Sequence, residues 1–201
     1  TATSGTLSVI ATNACGSSVA TTKNITVLPL PGTMRITEYM YNGAGSGAGE
    51  YVEFTNVGTT PVDMTGWSFD DSSELPGSQS LSGFGTVQPG ESVILTDVTA
   101  ATFRSNWALC AGIKVLGGNS NNLGREDEIN IYNSSNTLID RLTYGDQKYS
   151  AGSIRTTAVS GWINAAGIGN HIITDWSLST VGDAENSYTS GAGESGSPGK
   201  S

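Results

Sequence analysis

The chain has 201 residues, of which 36% are hydrophobic and only 13% charged, with Gly, Ser, Thr and Asn filling much of the difference. That mixture suits many short strands joined by polar turns, and it argues against long helices and against disorder throughout. A formal net charge of −9 repels phosphate backbones and so disfavours non-specific nucleic-acid binding, and no apolar run approaches the roughly 18 residues a membrane span needs.

Residues 6–28 predict a hairpin. TLSVIATN alternates through Leu7, Val9 and Ala11, NACGSS turns, and VATTKNITVLPL returns. The prolines of LPLPG, residues 28–32, stiffen the chain and mark a boundary between a segment 1–30 and a domain 31–200. Two strands do not make a stable domain alone, so the first segment is expected to pack on the domain after it or to pair with a partner. The opening TATSGTLSVI is already strand-like and carries no charged leader, as expected of a piece of something longer.

Strand follows strand from residue 34 to about residue 146. MRITEYMYN is the first, and GAGSGAG is a Gly-rich loop. EYVEFTNV comes next, with Tyr51, Glu53 and Thr55 on one face and Val52, Phe54 and Asn56 on the other. TTPVDMTGWSFDD gives a third strand, and a Pro-Gly turn precedes the strand around Val93 and Leu95. Residues 99–110 are the one helix-like stretch, residues 113–117 form another strand, and DEINIYNSSNTLIDRLTYGD is a hairpin turning at 133–136. Turn signals at roughly 8–12-residue spacing point to an all-β antiparallel sandwich, and no helix–strand alternation supports a parallel sheet. Ile36, Val52, Phe54, Trp67, Leu95, Ile129 and Ile131 are the expected core. Regularity fades after residue 147, and the small-residue tail TSGAGESGSPGKS is expected to be extended or mobile.

Several residue sets carry candidate chemistry. Glu50 and Glu53 are three apart on a strand and so point to opposite faces, which prevents them from flanking one bond as a glycosidase pair unless a bulge intervenes. For Glu53, acceptance of backbone or hydroxyl hydrogen bonds at a sheet edge is the expected role. His171 is the one histidine, in a polar segment without a G-x-S-x-G elbow, and no catalytic residue is assigned. Cys15 and Cys110 belong to no C-x-x-C pair, which removes zinc and thioredoxin-like readings; one long-range disulfide and two buried free thiols both stay open.

Two acidic loops could hold calcium, which takes six to eight oxygens. Asp70, Asp71 and Glu74 form one acidic loop. Asn119, Asn121, Asn122, Glu126, Asp127 and Glu128 form the other, with Asn119, Asn121, Glu126 and Asp127 as the candidate ligands. Neither has the EF-hand spacing, and a solvated loop is the competing reading. Trp67 and Trp176 are expected to pack in the core. Trp107 and Trp162 lie among polar neighbours, where an exposed indole could stack on a pyranose ring. Tyr149, Arg155, Asn164 and Asn170 are the polar groups near Trp162 in sequence.

Three consecutive motifs carry a resemblance. Ile36, Glu38, Met40, Tyr41 and Asn42 fit I-x-E-x-M-Y-N. Gly49, Glu50, Tyr51, Glu53 and Asn56 fit G-E-W/Y-x-E-x-x-N, and Val62, Asp63, Thr65, Gly66 and Trp67 fit V-D-x-S/T-G-W. With VQPGESVILTD, NLGREDEINIYNSSNTLIDRLTYGD and the closing GSPG in the same order, residues 34–199 resemble a bacterial lamin-tail domain. GTLSVIATNACGSS and ITVLPLP resemble the last two strands of a PKD-like or other Ig-like repeat. The lamin-tail resemblance implies an immunoglobulin-like β-sandwich that serves as an accessory module beside secreted enzymes and surface proteins. The expected function is then non-catalytic: binding of polysaccharide or cell-surface glycan, at the cell surface or outside it, next to other domains of a larger protein. The alternative is a structural or adhesive module that assembles by β-strand addition.

Overall fold

The computed structural model describes residues 5–13, 16–25, 31–45, 49–146 and 153–200. The chain forms two compact units, Thr1–Leu30 and Pro31–Ser201. In the first, Gly5–Val9 pairs antiparallel with Thr21–Ile25, and the short strands Thr12–Asn13 and Gly16–Ser17 pair beyond them. Every described residue of this ribbon is exposed, including Leu7, Val9 and Ile25. Its described residues therefore form no core of their own.

Among the described residues the second unit has ten strands in its two main sheets and one α-helix. The strands are β1 (Met34–Met40), β2 (Tyr51–Asn56), β3 (Ser68–Asp70), β4 (Gln79–Ser80), β5 (Ser92–Thr96), β6 (Lys114–Leu116), β7 (Asp127–Tyr132), β8 (Leu138–Tyr144), β9 (Gly161–Ile163) and β10 (Trp176–Leu178). The helix α1 (Ala100–Asn106) lies between β5 and β6. One sheet has the order β6-β5-β2-β1-β9-β10, and the facing sheet has the order β8-β7-β3-β4. Pairing is antiparallel except between β5 and β6, which run parallel. Parallel neighbours need a crossover, and α1 supplies it. Thr99 caps the helix by accepting from the Thr102 amide, as a Thr before an apolar stretch should.

Alternation sets which face each side chain takes. Ile36, Val52, Phe54, Leu95, Ile163 and Trp176 of the larger sheet meet Phe69, Ile129, Ile131 and Leu142 of the smaller one in a single buried cluster. Each such side chain, taken fully out of water, contributes about 1.5–3 kcal/mol. Trp67 packs against this cluster but is only partly buried; it precedes β3, and Met64 and Phe69 on either side of it are fully buried. The outer face of the six-stranded sheet carries a second cluster: Met40, Tyr51 and Ile94 covered by Phe103 and Trp107. Asn56 is buried yet satisfied. Its Oδ1 accepts from the amides of Thr33 and Gly58, and its Nδ2 donates to the carbonyls of Thr60 and Val87.

Candidate functional site

A bulge follows Ile36, so Thr37 and Glu38 both reach the outer face, and Glu38 comes opposite Glu53 on β2. Both carboxylates are fully buried. Glu38 Oε1 accepts from the Ser160 hydroxyl and, at 2.7 Å, from the Ser197 amide. Glu53 Oε1 accepts from Thr37 Oγ1 at 2.8 Å, and its Oε2 accepts from the Gly199 amide at 2.5 Å. The closing segment is thereby latched onto the sheet. Gly196 is required there, because a Cβ would come within 2.7 Å of Tyr51 Oη and 2.8 Å of Ser160 Oγ. The tail expected to be extended or mobile is instead bound, with Ser197 and Glu194 both fully buried. Glu194 accepts from the Ala44 amide at 3.0 Å and from Asn106 Nδ2 at 2.7 Å, tying the Gly-rich loop and the end of α1 to the same segment.

Burial pushes Glu38 up to about 8, and the charge on Glu53 adds to that, while the bonds from Ser160 and Ser197 hold it back. Glu50 is also raised to about 8, by burial and then by the charges of Asp97 and Asp127. Its Oε2 accepts from the Leu123 amide at 2.8 Å. Gly49 before it leaves no room for a side chain, since a Cβ would meet Asp97 Oδ1 at 2.5 Å. These glutamates act as acceptors for backbone amides inside the fold, and none of the three opens onto a cleft as a carboxylate pair.

The calcium candidates are engaged with the chain itself. Asn119 Oδ1 accepts from the Asn121 amide at 3.2 Å, and Asn121 Nδ2 donates to Asp70 Oδ1 at 3.2 Å. Asp127 accepts from the amides of Ser72 and Gly124 at 3.1 and 2.7 Å. In the other loop, Asp70 accepts from the Leu75 amide and Glu74 pairs with Arg141, each at 2.6 Å. Among the described residues no three acidic, histidine or cysteine side chains, Glu126 included, group so as to hold a metal ion.

Trp107 corrects the expectation of an exposed platform. It is 1% exposed, because it ends α1 and turns its ring inward against Tyr51, Phe103 and Tyr188, with centroids 5.9, 6.2 and 5.5 Å away. Trp162 lies in a strand, not a loop. It is half-buried in β9, between Glu38 on β1 and the exposed Ser177 on β10. Asn164, just past the end of β9, is exposed. Its Oδ1 accepts from the Ala166 and Gly167 amides, and Asn170 Nδ2 reaches the Ala166 carbonyl, so both asparagines help to close the turn after β9. Arg155 is exposed and 3.7 Å from Asp146. Tyr149 and Cys15 lie outside the described residues. Cys110 is free and exposed, so it is not a buried thiol. His171 is exposed, with Nδ1 against the Arg141 carbonyl and 3.3 Å from Asp140 Oδ1.

The sequence model of the lamin tail domain family matches residues 29–146, more than half of the chain. The chain belongs to the lamin tail domain family. That family is one of immunoglobulin-like, non-catalytic domains, in keeping with the strand-rich sandwich seen here. No curated protein and no solved structure matches. The match to the lamin tail domain ends before β9, β10 and the latch. Ser160, Ser197 and Gly199 donate to Glu38 and Glu53 from beyond it. Sequence reasoning noted Glu38 and the closing GSPG only as pieces of a motif. Their direct contact was not legible, because 159 residues separate Glu38 from Ser197.

Proposed function

We propose that this lamin tail domain is an accessory module of a secreted or cell-surface protein, and that it binds polysaccharide and so brings attached domains to it. The observation that supports this reading is the strip formed by Trp162, Ser177 and Asn164. A partly buried indole is held on a strand, with the exposed Ser177 hydroxyl beside it and the exposed Asn164 two residues on. Such a strip offers a stacking surface for the apolar face of a sugar and hydrogen-bonding groups for its hydroxyls. The latch supports it too: carboxylates committed to the fold leave the module to binding. Trp162→Ala is expected to cost ~1–3 kcal/mol of affinity in a polysaccharide pull-down series, with a smaller fall in melting temperature. Retained binding by a folded Trp162→Ala variant rejects the platform.

A second reading rests on a separate observation. The ribbon of residues 5–25 exposes Leu7, Val9 and Ile25, and a two-stranded sheet has two open edges. Strand addition to another copy or another domain would cover them.

A further inference from the structure

Next to the latch, the end of α1, the following loop and residues 198–200 line an open cavity of about 300 Å³. That volume is at the small end of the range for ligand sites. Its wall is largely apolar, built from Trp107, Leu109, Ile113 and Pro198, with the Tyr188 ring alongside. The polar character of the wall is one-sided. Lys200 Nζ stands 4.1 Å from the centroid of Tyr188 and donates to the Asn186 carbonyl at 2.9 Å. An ammonium has three donors, so this bond and the ring contact leave it capacity for an anion. Among the described residues no carboxylate lines the cavity, although the chain carries 18 acidic residues against nine Lys and Arg.

An apolar chamber with a cation at its rim and no acid in its wall selects a particular chemistry. We propose that this cavity binds a small organic anion with a flat apolar body: an aromatic carboxylate or sulfonate, its ring packed on Trp107, Leu109 and Ile113 and its charged oxygens at Lys200. The site is separate from the Trp162 strip and stands or falls without the polysaccharide reading. The latch forms one wall of it through Pro198, Gly199 and Lys200. Ligand binding is therefore expected to hold the latch closed.

Cys110 supplies the readout, because its exposed thiol also lines the cavity. The full chain is labelled with N-ethylmaleimide, a neutral reagent, and modification of the Cys110 peptide is followed by mass spectrometry. Millimolar 2-naphthoate is expected to slow Cys110 labelling at least fivefold and saturably. The neutral analogue 2-naphthalenemethanol should need about tenfold more, and Lys200→Met should raise the half-maximal naphthoate concentration by about tenfold as well, the scale of one lost charge contact. Lys200 is near the chain's end, and an unchanged melting temperature of Lys200→Met confirms its fold. Labelling that is unaffected by naphthoate overturns the site. Equal protection by the alcohol, or an unaltered response in folded Lys200→Met, overturns its preference for anions.

Discussion

Glu38 and Glu53 face each other across β1 and β2 in a fully buried layer, and burial raises Glu38 to about 8. A carboxyl whose folded pKa exceeds its unfolded value near 4.5 binds more protons in the native state. Its contribution is complete below about pH 4.5 and is lost as pH rises toward 8. Glu50, also raised to about 8, acts with the same sign. Urea midpoints are therefore expected to fall between pH 5 and pH 9, and the double variant Glu38→Gln, Glu50→Gln should flatten that slope. A midpoint that rises over the same interval would contradict the buried, proton-holding state. Asn56 gives a second test. Removing its amide strands two backbone N–H groups and two carbonyls, so Asn56→Ala should cost about 2–4 kcal/mol in urea denaturation. The strand pattern placed Asn56 on the core face correctly but did not reveal its four partners. Trp107 misled for a related reason: its sequence neighbours are polar, while its spatial neighbours are Tyr51, Phe103 and Tyr188.

Local patterns were the most readable elements. The period-2 runs became β1, β2, β5, β7 and β8, and the stretch 99–110 became a helix of seven residues with its Thr cap. What could not be read were pairings between distant segments. The parallel β5–β6 pair depends on where α1 carries the chain, and β9 is assigned to its sheet only by contacts with Glu38 and Tyr39, more than a hundred residues earlier. The N-terminal ribbon shows the converse, since its strands were legible and its burial was not. If its open edges serve strand addition, light scattering should show the full chain associating as concentration rises. Val9→Lys, which charges an exposed apolar position of the ribbon, should suppress that association. A full chain that stays monomeric at millimolar concentration would leave the ribbon without this role.

Within the second unit, segments far apart in sequence are tied together. Strands near residue 38 and residue 53 receive the amides of Ser197 and Gly199 across 159 and 146 residues, and Glu194 joins α1 and the Gly-rich loop to the same segment. The sequence marks these positions as Glu, Ser and Gly but gives no sign that they meet. Their meeting explains why three acids in a chain of net charge −9 are buried instead of solvated. The central claim is that Glu38 and Glu53 are latch points for the closing segment, not a catalytic pair. Native-state amide hydrogen exchange across residues 194–200 tests it most directly. The Ser197 and Gly199 amides should exchange as slowly as the core amides of β2, and Glu53→Ala should release Gly199 first. Exchange of both amides at the rate of an unstructured peptide in the parent chain would contradict the latch.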